Sequence, residues 1–200
     1  MPVQPLNQTA RDEIYRRTLA AVKGEIARVG GDPDDPAALL GQCLEFAWQG
    51  YLLIKGWPGA PRTVIQGGSA QWTRVPPEMD DGVSPTHFAY VWDPEAPLTR
   101  LARQGVLTAL RRPDGQVAPS LPEMHVWLGC PDTNEVIDFT VGFWPAACKA
   151  LTGLEWPAPL PPDYLWCLGP RRPRRVNYIP DGEAVAVAVN LLRRQGRDYP

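Results

Sequence analysis

Met124-His125-Val126-Trp127-Leu128-Gly129-Cys130-Pro131-Asp132-Thr133-Asn134-Glu135-Val136-Ile137-Asp138-Phe139-Thr140 contains two short runs of β-branched and aromatic residues around the turn sequence Pro131-Asp132-Thr133-Asn134. Alternation puts His125 and Trp127 on one face of the first run. On the second run it separates Glu135, Ile137 and Phe139 from Val136, Asp138 and Thr140. A hairpin through the turn brings His125 and Asp138 to neighbouring strands, the relation a histidine needs with an orienting carboxylate. The runs are short, strand-like and bounded by turn residues, so they belong to an antiparallel sheet.

Further runs of the same texture cover 62–66, 70–75, 86–92 and 106–111, and residues 164–168 offer another short strand. Pro113-Asp114-Gly115 is a second turn sequence. Upstream the period changes. Tyr15, Thr18, Leu19, Val22, Ile26 and Val29 recur at three- and four-residue steps, which predicts an amphipathic helix over 9–29. Thr9 is its expected cap, Asp12 its first-turn acid and Gly30-Gly31 its end. Leu39, Leu40, Cys43, Leu44, Ala47, Trp48, Tyr51 and Leu52 are apolar around much of a helix circumference and predict a buried central helix. Gly41 leaves two alternatives: one continuous helix from Pro36, or a short turn and then a break. The segment 141–162 reads as mostly loop with a short helix near 145–151, and 181–194 as a C-terminal helix with Arg193 and Arg194 in its last turn. The expected fold is α+β: N-terminal helices, one of them central and bearing Cys43, packed on an antiparallel sheet, with a closing helix.

Composition sets the class. Two hundred residues suffice for one ordinary domain, and 1–200 reads as a single unit with its core near 35–142. Lys+Arg 20 against Asp+Glu 22 gives a net charge of -2, which disfavours a general polyanion binder. Neither a membrane span nor a basic-then-apolar leader is legible, so the expected compartment is the cytoplasm. Cys43, Cys130, Cys148 and Cys167 stand far apart without a C-x-x-C pair, and free thiols are expected. A zinc site built from three of them with His125 would need four ligands from scattered loops, so no cofactor is expected.

Gly41-Gln42-Cys43 places a cysteine at or near a helix start, where free amides and the positive dipole end favour thiolate. With an imidazolium beside it such a sulfur is a nucleophile at neutral pH, and the same amides can hold an oxyanion. Gly41-Gln42-Cys43, His125-Val126-Trp127 and Asp138-Phe139-Thr140 together resemble the Cys, His-x-Trp and Asp-x-Thr signature of the transglutaminase-like branch of papain-like cysteine enzymes. That resemblance implies a cysteine at the start of a buried helix packed on a sheet that bears the His and Asp. It also implies a Cys43–His125–Asp138 triad attacking an amide, thioester or ester in a peptide or small acyl substrate. Gln42 is a candidate oxyanion donor, and Trp48, Trp72 and Trp127 are candidates to line the cleft. The alternative is a binding protein that keeps this fold without chemistry.

His87 competes for the histidine role, but Asp93 lies six residues further along, about 20 Å in an extended strand. Arg171, Arg172, Arg174 and Arg175 form a charge run whose ordinary explanation is a solvated loop, and nucleic acid is not an expected partner.

Overall fold

The structure, a computed structural model, describes residues 5–73, 86–96, 110–111, 117–118, 124–153, 155–156, 159–168 and 176–200. Helix α1 (Gln8–Arg28) buries Ile14, Thr18, Val22 and Ile26 along one stripe. Its cap is Asn7, not Thr9: the Asn7 side-chain oxygen accepts the Ala10 amide at 2.9 Å. The helix therefore starts earlier, and Asp12 lies beyond the first turn, where its carboxylate accepts from Gln8 at 2.8 Å and the Tyr164 hydroxyl at 2.6 Å. Gly30, at φ 85°, supplies the left-handed turn that ends the run.

Gly41 settles the second helix. A single turn, α2 (Pro36–Leu39), is capped by the Asp35 side chain, and Gly41 at φ 75° breaks the chain before α3 (Cys43–Lys55) begins. A residue with a Cβ resists that φ, so the glycine separates the two helices. The break gives Cys43 the first position of α3 instead of an interior one.

The sheet contains β1 (Val64–Thr73), β2 (Thr86–Tyr90), β5 (His125–Cys130), β6 (Glu135–Asp138), β7 (Leu165–Leu168) and β8 (Val176–Pro180), and all its pairings are antiparallel. Order runs β2-β1-β5-β6-β7, with β8 also on β1. Two-residue strands β3 (Leu110–Arg111) and β4 (Val117–Ala118) pair separately. The β5–β6 hairpin turns through residues 131–134 with Asn134 at φ 54°, a conformation Asn accepts more readily than most residues.

Both faces of the sheet are covered. Ile65, Val126, Leu128, Ile137 and Phe139 share a core with α1, α3 and α5 (Gly182–Arg194). Trp72, Phe88, Trp127, Val136 and Tyr178 share the other with Trp144, Ala147 and Cys148 of α4 (Trp144–Thr152). Burying each large apolar side chain contributes about 1.5–3 kcal/mol, so the two cores dominate stability. Close approach to the layers around the sheet involves Gly50 and Gly67, among other glycines. A Cβ on Gly50 would sit 2.2 Å from the Phe139 ring, and one on Gly67 would sit 3.1 Å from the Ala184 backbone at the start of α5.

Several expectations change. The expected runs 62–66 and 70–75 join into one strand over 64–73, because Gly67-Gly68 continues β1; residues 74 and 75 lie outside the described residues. The strand expected over 135–140 ends at Asp138: Phe139 and Thr140 have left the sheet and precede a 3-10 turn, Val141–Phe143, that leads into α4. The strand expected over 106–111 is described only at Leu110–Arg111, and the expected turn at 113–115 lies outside the described residues, as do Arg171, Arg172, Arg174 and Arg175. β8 was not anticipated.

Candidate active site

Asp138 ends β6 on the face opposite Ile137, and both its carboxylate oxygens accept hydrogen bonds. His125 Nε2 lies 2.7 Å from Oδ2, and the Tyr178 hydroxyl donates to the same oxygen at 2.8 Å. The Thr140 amide and hydroxyl donate to Oδ1 at 2.8 and 2.6 Å. The hairpin register explains the first contact. Leu128 faces Ile137, so His125 reaches Asp138 along the diagonal of the hairpin. Burial raises the carboxyl pKa, but the charge and hydrogen bond of His125, with the Thr140 donors, outweigh it and hold it below the usual value.

His125 is 1% exposed, yet its pKa is raised. Burial alone would lower it; Asp138, by charge and hydrogen bond, and then Cys43 by the same two means, reverse the sign and push it up to about 10. Asp138 occupies Nε2, which leaves Nδ1 to Cys43. Among the described residues Nδ1 has no hydrogen-bond partner, and Cys43 lies near enough to the ring to raise its pKa.

Aromatic rings hold the imidazole in place. Tyr90 stacks on it at 4.9 Å and 16°, Trp144 meets it edge-on at 5.4 Å, and Trp127 lies parallel at 6.0 Å. Strand β1 makes the room. His125 is registered with Gly68, while Tyr90 and Tyr178 are both registered with Ala70 from opposite sides. Small residues at 68 and 70 let these rings converge on one face of the sheet.

Cys43 arrives from the helix layer. Leu39 packs in the α1/α3 core and Leu40 against the α4 core, so the chain passes between the two cores just before the cysteine. Cys43 is 7% exposed. The first bond of α3 is donated by Phe46 to the Gln42 carbonyl at 2.9 Å, and no side chain caps this terminus. The amides of Cys43, Leu44 and Glu45 thus precede the helical ladder, as an anion-binding helix start requires.

The other candidates divide. Trp127 lies beside His125. Trp48 does not: five residues past Cys43 it has rotated about 140° around the helix, stacking on Tyr51 at 5.8 Å and lying under Arg197. Trp72 packs on Trp144 and Trp156, one ring removed from the site. Gln42 is buried with its amide nitrogen donating to the Ala38 carbonyl at 3.1 Å, so that nitrogen is held back toward α2. The His87 side chain lies outside the described residues. Sequence reading missed Tyr90 and Tyr178; only their even spacing along strands with small partners at 68 and 70 signals them.

A groove of about 590 Å³ lies elsewhere, bounded by Tyr51, Lys55, Arg62, Val64 and Tyr199. It opens at the far end of α3, about 18 Å from Cys43 by helix rise, and touches none of the residues around His125. Among the described residues no group of His, Cys, Asp and Glu is placed to hold a metal, and no helix is long and apolar enough to cross a membrane. Family models, curated proteins and solved structures were compared with this chain, and none matches it.

Proposed function

We propose that this protein is a cysteine-dependent acyl-transfer or hydrolytic enzyme of the transglutaminase-like, papain-like kind, with Cys43 as nucleophile, His125 as proton carrier and Asp138 as orienter. One observation carries the reading: Asp138 grips Nε2 of a buried His125 at 2.7 Å while the first residue of a buried helix, Cys43, acts on the same ring. In the reaction His125 already holds the proton as an imidazolium, and the sulfur attacks the acyl carbon as a thiolate. A C–S bond forms and the carbonyl electron pair moves to oxygen. Collapse of that adduct breaks the bond to the leaving amine, thiol or alcohol, which takes the Nδ1 proton and leaves a thioester on Cys43. Water or an amine then loses a proton to His125 and attacks, releasing the acyl product and restoring the sulfur. The substrate class is a peptide or a small acyl compound.

Alkylation tests this. At about pH 6 iodoacetamide should modify Cys43 well ahead of Cys148, Cys167 and Cys130, whose thiol burial, then Glu135, push up to about 12. His125→Ala should remove most of the advantage. Equal labelling of all four thiols, or labelling of Cys43 only after unfolding, would favour a binding protein without chemistry.

A further inference from the structure

Attack on a carbonyl creates an oxyanion, and one wall of this site has a donor that no described residue uses. Tyr90, at the end of β2, lies on the His125 ring at 16°. A near-parallel stack keeps its hydroxyl out of the plane in which the imidazole nitrogens bond, so the phenol is not spent on His125. Tyr90 is half-buried, and among the described residues its hydroxyl makes no hydrogen bond and is not a buried unpartnered atom, so it is open to solvent. The neighbouring Tyr178 hydroxyl is committed to Asp138, and the Gln42 amide nitrogen already serves Ala38.

We propose that the Tyr90 hydroxyl is the side-chain donor of the oxyanion site, completing with the α3 backbone amides the cradle for the oxygen of a substrate carbonyl attacked by Cys43. This rests on the cysteine-enzyme reading above. Tyr90 donates a hydrogen bond and transfers no proton: the carbonyl electron pair moves onto oxygen as the C–S bond forms, and returns when the leaving group departs. Burial, then the charges of Cys43 and Asp138, raise the phenol pKa and keep it a neutral donor. Ring and hydroxyl have separate duties, the ring holding the imidazole and the hydroxyl meeting the substrate.

The test sets one reaction that needs an oxyanion site against one that does not. Iodoacetamide alkylates sulfur by displacement at a saturated carbon, whereas p-nitrophenyl acetate acylates it through a tetrahedral oxyanion. Tyr90→Phe keeps the ring, so alkylation of Cys43 should proceed at the parent rate, which also shows that the site is intact. The burst of p-nitrophenol should slow about 10²-fold, the usual cost of one oxyanion donor. An unchanged burst in Tyr90→Phe overturns the Tyr90 assignment and leaves the cysteine reading standing. Equal slowing of both reactions also overturns it, since the hydroxyl would then act on the sulfur and not on the oxyanion. If the parent protein gives neither a burst nor selective alkylation, the cysteine reading fails and the assignment falls with it.

Discussion

Removing one hydroxyl from Tyr178 probes how Asp138 is held. Tyr178→Phe deletes the 2.8 Å bond to Oδ2 and leaves the ring packed 5.0 Å from Trp127. Asp138 keeps three partners, His125 Nε2 and the two Thr140 donors, so no buried charge is orphaned. The cost is therefore that of one hydrogen bond to a charged group, about 2 kcal/mol, which in a domain of this size lowers Tm by about 4–8 °C. Removing His125 or Asp138 strands a buried charge and should cost more, about 3–5 kcal/mol. The sign with pH follows from the carboxyl pKa, which is lowered in the folded protein. Such a group contributes stability above its unfolded value near 3.9, and that stability is lost as pH falls through the folded value. The gap between parent and Tyr178→Phe melting points should thus be full at neutral pH and close in acid. Scanning calorimetry from neutral pH downward measures both features. A Tm unmoved at pH 7, or a gap that widens in acid, would refute the placement of Tyr178 on a charged Asp138.

His125 gives a complementary sign. Its folded pKa is raised to about 10, so its contribution is fully present below an unfolded value near 6.5 and is lost as pH rises through about 10. NMR of the labelled imidazole should show no titration between pH 6 and 8, and Asp138→Asn should bring the titration down; a parent ring titrating near 6.5 would contradict the ion-pair geometry. Gly50→Ala sets helix propensity against packing: alanine gains about 1 kcal/mol in a helix interior. Its Cβ would lie 2.2 Å from the Phe139 ring, and overpacking of a core costs about 1–3 kcal/mol. The clash should win, seen as a lowered midpoint in urea; a stabilised variant would mean that α3 does not lie this close to β6.

The hairpin over 124–140 was legible because alternation, turn chemistry and the face of each residue agree there, and the diagonal from His125 to Asp138 follows from them. Helices α1 and α5 were legible from their stripes, though the cap of α1 shifted to Asn7, since several neighbouring polar residues can cap equally well. Gly41 left open one continuous helix from Pro36 or a short turn and then a break, a matter of one φ angle. Gly67-Gly68 divided two expected runs; tertiary approach of α5 and β8 explains these glycines, and no local signal carries that. β8 was hidden for a different reason. It follows an arginine run, contains Asn177, Ile179 and Pro180 exposed at its edge, and so lacks the composition of a strand while burying Val176 and Tyr178. Tyr90 and Tyr178 enter the site through β1 registers, long-range pairings that composition does not encode.

The central claim is that Cys43 becomes acylated with the help of His125. Mixing the protein with p-nitrophenyl acetate, quenching in acid within the burst and mapping the peptides by mass spectrometry reads this directly. One acetyl group should appear on Cys43 ahead of every other site, absent from Cys130, Cys148 and Cys167, and His125→Ala should form it far more slowly. Acetylation spread over surface lysines at the same rate in the parent and in Cys43→Ala, with none on Cys43, would contradict it.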